Sequence, residues 1–242
     1  VGIALGFSSC KGGVGKTTLA ANLGMVFQEK LGDKLLLFDA NLSAPNLAMH
    51  FGELNPTNTI HDVLSNKIPI EKAIRKIHGV NIIPGSLSFG KEIHPYDMCE
   101  HVERLKEKFS LIILDTAPGI GSESLAAMKV MDEVIAISNP DTPTVASTLK
   151  TFKAAEVCGA HMLGAVLNMV RGEPYELSEA EIRRILGWPI LAKIPEDSKV
   201  REATAMGIPV VKYSPSSPSA REFRRMGQEI LKMLQKRIKF KF

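Results

Sequence analysis

The chain has 242 residues, 45 % apolar and 23 % charged, which suits one packed domain and leaves little room for a second. Its formal net charge of +4 is uneven: residues 221–242 hold eight Lys/Arg against Glu222 and Glu229, so the remainder is slightly acidic and a nucleic-acid partner, which would want positive charge spread over a face, is disfavoured. No apolar run nears the ~20 residues that cross a bilayer, the start lacks signal-peptide features, and Cys10, Cys99 and Cys158 form no C-x-x-C pair; a reduced, cytoplasmic protein without a disulfide framework or zinc ribbon is expected.

In chain order, apolar runs at 3–7, 35–38, 80–83, 111–114, 134–137, 162–167 and 190–194, apolar on both faces and bounded by turn residues, predict strands of a buried parallel sheet. Helical spacing predicts helices over 17–30, 97–108, 122–131, 144–157, 178–186, 199–206 and 220–236. The Ser/Pro-rich stretch 214–219 is the nearest thing to a linker, with Ser219 a candidate N-cap for the last helix. Such alternation predicts one α/β domain over 1–242, a three-layer doubly wound fold with a mostly parallel sheet of seven or eight strands, and ligands at the carboxyl ends of the strands.

Directly after the first strand comes Lys11-Gly12-Gly13-Val14-Gly15-Lys16-Thr17-Thr18, opening a helix. This is the strand, loop and helix context of a phosphate loop. The glycines let backbone N–H groups turn onto phosphates, Lys16 reaches the β/γ oxygens, the helix N-terminus adds its positive end, and the Thr17 hydroxyl is placed to ligate Mg²⁺. Cys10 stands where the usual pattern has glycine; it either fills space against the sheet or is a reactive thiol near the nucleotide.

The form KGGVGKTT resembles the deviant Walker A motif of the MinD, ParA and Mrp branch of P-loop ATPases, archaeal MinD-like proteins above all. The resemblance continues in FDANLSAPNL (38–47) as a first switch, LIILDTAPGI (111–120) as Walker B strand and second switch, and VLNMVR (166–171) with IPEDSKVREATAMGIPVV (194–211) as adenine-side loops. It implies ATP/ADP and Mg²⁺ as cofactors, a homodimer in the ATP state in which Lys11 reaches the partner's nucleotide, and a protein client or activator. Asp115 closes an apolar strand, where a carboxylate can hold a water on Mg²⁺ without being buried unpaired, and Asp39 stands at the equivalent end of another; both are assigned to the outer shell of the metal that Thr17 ligates, and Pro118-Gly119 to a turn that moves when the γ-phosphate is lost. Asn168 has an amide suited to adenine, no [NT]KxD segment reads guanine, and the resemblance places Pro195, Glu196 and Asp197 beside the base. Where MinD has two aspartates one residue apart in its first switch, this chain reads Asp39-Ala40-Asn41. An amide orients a water but takes no proton, so the expected ATPase, with Lys11, Lys16, Asn41 and Asp115 as its reacting set, is slow or partner-stimulated.

Two functions stay open at this stage: an ATP-switched regulator of the division or positioning type, and a maturation factor assisting nickel insertion into a hydrogenase. Two further signals have ordinary readings. His94, Cys99 and His101 cluster in HPYDMCEH, but once helical Cys99 and His101 point apart. The last helix repeats Phe223, Met226, Ile230, Leu231, Leu234 and Ile238 at helical spacing, the mark of a core-facing side; its basic end with Phe240 and Phe242 offers at most a marginal, peripheral membrane contact.

Overall fold

The computed structural model describes residues 1–87 and 93–238. Among these residues eight strands form one sheet: β1 (Ile3–Ser8), β2 (Leu35–Ala40), β3 (Arg75–Ile77), β4 (Val80–Ile83), β5 (Leu111–Thr116), β6 (Glu133–Ser138), β7 (His161–Val170) and β8 (Ile190–Pro195). Their spatial order is β3-β4-β2-β5-β1-β6-β7-β8, parallel throughout except for β3 against β4. All seven expected strands are present. The eighth, β3, was not expected: its sequence, Arg-Lys-Ile, is a half-exposed edge with no apolar run to betray it.

The helices are α1 (Lys16–Leu31), α2 (Ile60–Leu64), α3 (Ile70–Ala73), α4 (Met98–Leu105), α5 (Ser122–Val130), α6 (Thr142–Cys158), α7 (Glu179–Leu186), α8 (Ser198–Ala205), α9 (Val210–Tyr213) and α10 (Pro218–Ile238). Two apolar layers hold them to the sheet. One packs α1 and α10 on one face through Leu19, Leu23, Phe27, Phe223, Met226 and Ile230; the other packs α4, α5, α6 and α7 on the opposite face through Met98, Val102, Met128, Phe152 and Ile182. Strands β1, β2, β5 and β6 are buried along their whole length, so every residue in them must be apolar, small or functional.

The stripe on α10 is buried as expected at Phe223, Met226, Ile230, Leu231 and Leu234. Gly227 permits the close approach to α1, because a Cβ there would meet Val26 Cγ1 at 2.8 Å. The side chain of Ile238 and residues Phe240 and Phe242 fall outside the described residues. Among the described residues no helix is long and apolar enough to cross a membrane.

Several boundaries differ from the sequence expectation, three of them for an identifiable local reason. α10 begins at Pro218, with Ser217 Oγ accepting from Ala220 N–H at 3.3 Å; Ser219 is not the cap, because its hydroxyl donates to Asp197 at 2.7 Å. α6 begins two residues early, since Asp141 caps Thr144 N–H and Pro143 fits the first turn. The segment expected to be helical from 97 opens instead as a 3-10 turn over Pro95–Asp97 and becomes α-helical only at Met98. In that helix Cys99 gives its thiol to Ala126 O at 3.5 Å.

Candidate functional site

The loop after β1 lies at the centre of the sheet's carboxyl edge, between the ends of β5 and β6. Two of its glycines have left-handed backbone, Gly13 at φ 76° and Gly15 at φ 99°. Gly15 is doubly constrained: a Cβ there would fall 2.2 Å from Asn168 Nδ2. Asn168 needs that space, because its amide donates to Val14 O at 2.7 Å and holds the loop in shape. Gly15→Ala is therefore expected to weaken nucleotide binding at least about 10-fold, by strain at positive φ and displacement of Asn168; titration with a fluorescent ADP analogue checks this.

Beyond the loop a cavity of about 380 Å³ is lined by Gly12, Gly13, Gly15, Lys16, Thr17, Thr18, Asn41, Asn46, His50 and Pro118. Lys16 is buried and its pKa is lowered by that burial, with the Asp115 carboxylate opposing. Lys11 turns elsewhere. Its ammonium donates to Thr144 Oγ1 at 2.8 Å and lies 3.6 Å from Asp141 at the start of α6, half-exposed.

Asp39 and Asp115 are register partners on adjacent strands. The expectation that Asp115, as a strand-end carboxylate, escapes unpaired burial is corrected: it is fully buried and neither of its oxygens receives a hydrogen bond from the described residues. The flanking strands and the phosphate loop cover the strand end that sequence alone suggested was open. Burial raises its pKa to about 6, with Thr17 and Lys16 near enough to oppose the rise. The Thr17 hydroxyl hydrogen itself goes to Asn46 Oδ1 at 2.8 Å. Burial, together with the neighbouring Asp115 charge, also raises Asp39 well above the usual carboxylate range, although Leu47 and Asn41 N–H groups donate to it.

This chemistry fits a divalent cation. Two buried carboxylates side by side, one of them without a partner, cost free energy that a bound cation with phosphate oxygens would offset. Asn41 Nδ2 donates to Ala44 O at 2.7 Å, and its Oδ1 is buried with no partner among the described residues.

The second cavity, about 130 Å³, brings together Thr18, Asn168, Met169, Pro195, Glu196 and Asp197. All the expected base-side residues thus meet, but their polar groups are largely committed. Asn168 lies within β7, which runs on to Val170, and gives one of its two amide N–H hydrogens to the loop. Asp197 caps α8 through Lys199 N–H and accepts from Ser219. Glu196 pairs with Arg171 and Arg201, which keep its carboxyl below the usual range. Cys10 is packed against Thr151, which accepts from its N–H at 3.2 Å and donates to its sulfur at 3.3 Å.

Sequence reasoning did not single out Asn46, His50, Met169, or the Asp141 and Thr144 partners of Lys11. Asn46 lay inside a segment recognised as a switch, and Met169, at φ 56°, beside Asn168; nothing marked Asp141, 130 residues from Lys11.

A glycine-cradled phosphate cavity at the carboxyl edge of a parallel sheet, with a buried lysine and two strand-end carboxylates, defines a P-loop nucleotide-binding domain. Residues 5–210 match the family model described as the CobQ/CobB/MinD/ParA nucleotide binding domain, and the chain belongs to that family. An uncharacterised ATP-binding protein of Methanocaldococcus jannaschii is 33 % identical over 232 residues, covering 95 % of this chain and 88 % of that protein. The cell division ATPase MinD of Pyrococcus furiosus is similar with a TM-score of 0.90 at 32 % identity, covering 96 % of this chain and 100 % of that one. The septum site-determining protein MinD of Pyrococcus horikoshii, solved in complex with Mg-ADP, gives 0.91 at 31 % identity over 100 % of both chains.

Proposed function

We propose that this chain is a slow, Mg²⁺-dependent ATPase that dimerises in its ATP state and engages a protein partner while dimeric, as a regulator of the division or positioning type. The observation that carries the reading is the division of labour between the two loop lysines: Lys16 is buried at the phosphate cavity, whereas Lys11 is half-exposed and leans away from it onto Thr144 and Asp141. A lysine retained in a phosphate loop but turned to the surface suits contact with a second subunit's nucleotide. Light scattering with ATP and Mg²⁺ tests it; a protein that stays monomeric overturns the dimer switch.

In this reading Gly12, Gly13, Val14, Gly15 and Thr18 give backbone N–H groups to the phosphates and Lys16 neutralises the β/γ oxygens. Thr17, Asp39 and Asp115 hold Mg²⁺, which supplies charge neutralisation at the phosphates when bound. Thr17 can keep its hydroxyl hydrogen on Asn46 Oδ1, because the oxygen lone pairs remain for the cation. The Asn168 amide gives one of its two N–H hydrogens to the loop and keeps the other together with Oδ1, a donor and acceptor pair suited to adenine's mixed edge. Pro195, Glu196 and Asp197 shape that cavity more than they read the base. The Mg-ADP complex of the Pyrococcus horikoshii relative supports this assignment. No observation favours the metal-delivery reading over it.

Asn41 Oδ1 accepts a hydrogen bond from the attacking water and leaves its proton to the phosphate. Asn41→Asp adds a base at the same position and is expected to raise single-turnover hydrolysis about 10-fold, below the ~10²–10⁴ of a fully effective general base, since the loop was not built around a charge. Equal rates would remove Asn41 from the mechanism.

A further inference from the structure

We infer that Glu123 is a positioning residue for hydrolysis, acting through Ser43 to hold the loop that aims Asn41 into the phosphate cavity; this rests on the reading above that Asn41 orients the attacking water. Glu123 sits in the first turn of α5, directly after the segment assigned to the second switch. One of its carboxylate oxygens, Oε2, accepts from both Ser43 N–H and Ser43 Oγ–H, each at 3.1 Å. Ser43 belongs to the first switch, 80 residues earlier.

Two outside contacts hold the flanks of the loop between Asn41 and Leu47, His61 Nε2 at Leu42 O and Thr17 Oγ1 at Asn46 Oδ1, each at 2.8 Å. Asp39 accepts from Asn41 N–H and Leu47 N–H at its two ends, and the Asn41 amide closes onto Ala44 O. Those bonds tie the loop to itself and to β2. The Ser43–Glu123 pair ties its apex to another element. Without it the apex at Ser43 and Ala44 is freer to shift, and the Asn41 amide that closes onto Ala44 O shifts with it, including Oδ1, which faces the cavity with no partner among the described residues. Displacements of the order of 1 Å in a positioned water are costly, and supporting hydrogen bonds are what hold such geometry.

The placement also links the two switches. Gly119 N–H donates to Ser9 O at 3.0 Å on the phosphate loop, and four residues on Glu123 holds the first switch. A shift in the turn at Pro118 and Gly119 therefore reaches Asn41 through α5's first turn. The bonds are exposed and cheap to break, as a contact that must open and reclose requires.

Single-turnover hydrolysis of Mg·ATP, ADP affinity and hydrogen exchange of residues 41–47 are compared among wild type, Glu123→Ala, Glu123→Gln, Ser43→Ala and the Glu123→Ala/Ser43→Ala double variant. Glu123→Ala should slow hydrolysis about 3- to 10-fold with KM and ADP affinity within about twofold, the mark of lost positioning rather than lost binding. It should also speed exchange across 41–47. Glu123→Gln keeps an accepting oxygen and should stay within about twofold of wild type. The double variant should be no slower than Glu123→Ala alone, because both remove one link. Multiplicative losses, a Glu123→Gln rate as low as that of Glu123→Ala, or unchanged exchange in Glu123→Ala each overturn the inference. If Glu123→Ala does not fold, Ser43→Ala and Glu123→Gln carry the comparison. A wild type that hydrolyses no ATP refutes the ATPase reading, while the exchange measurement still decides whether Glu123 holds the loop.

Discussion

Without nucleotide or Mg²⁺, at a pH of about 7.5, Asp115→Asn is expected to unfold at a higher temperature than wild type, while its Mg²⁺-dependent hydrolysis falls at least about 100-fold. The two effects have one cause. Asp115 is fully buried, its oxygens receive no hydrogen bond from the described residues, and the Asp39 carboxylate stands at the matched register position. Ionising it there costs free energy that an asparagine does not. Its folded pKa of about 6 lies above the ordinary value of 3.8, so its stabilising contribution is present below the ordinary value and is lost as pH rises through about 6. At neutral pH the loss is about 1–3 kcal/mol, or roughly 2–10 °C in Tm for a chain of this size. Removing the charge also relieves Asp39, which Asp115 pushes further upward.

The order must reverse with ligand. Saturating Mg·ADP binds wild type tightly and so raises its Tm, while Asp115→Asn has lost part of the cation's binding partner and gains less. Thermal unfolding across pH 5 to 8, with and without Mg·ADP, reads both halves. An apo variant less stable than wild type at every pH would show that the paired carboxylates are not held at a cost to folding. The same stored cost explains why functional carboxylates sit in an otherwise apolar sheet: the site is destabilised in the apo state and bound ligand stabilises it.

Where sequence alone succeeded, one local pattern sufficed. Strands β1, β2 and β5 are apolar on both faces because both faces are covered, and the loop after β1 needs glycine where its backbone turns left-handed. β3 was illegible because an edge strand of Arg-Lys-Ile needs only its partner β4 to exist. Ser219 looked like a cap from its neighbours, but Asp197, distant in sequence, claims its hydroxyl. The same kind of long-range commitment altered the base cavity: Asn168 was legible as a polar group at the end of an apolar run, yet its amide serves the loop 154 residues earlier. The Ser43–Glu123 and Lys11–Asp141 pairs had no local signal at all. Residue type at one position limits what it can do, but only tertiary packing assigns the partner.

Lys11→Ala is expected to remain monomeric with ATP and Mg²⁺, lowering the dimer fraction at least about 10-fold, while its ADP affinity changes by less than about threefold. Lys11 sits half-exposed on α6, so the subunit's own nucleotide loses little when it is removed. A dimer loses a cation from each of two symmetry-related sites. The present partners of Lys11 are no obstacle to that movement: an ion pair with both side chains half-exposed contributes only about 0–1 kcal/mol, and the Thr144 hydroxyl keeps its bonds to Asp141 when Lys11 leaves. Asp141→Asn should therefore change ATP-dependent dimerisation by no more than about threefold, against the large loss in Lys11→Ala. Light scattering and ADP titration on the two variants separate the possibilities. Equal loss of ADP binding and dimer in Lys11→Ala would place Lys11 at its own subunit's phosphates; a collapse of dimerisation in Asp141→Asn would make the Lys11–Asp141 contact part of the working dimer instead of a resting place.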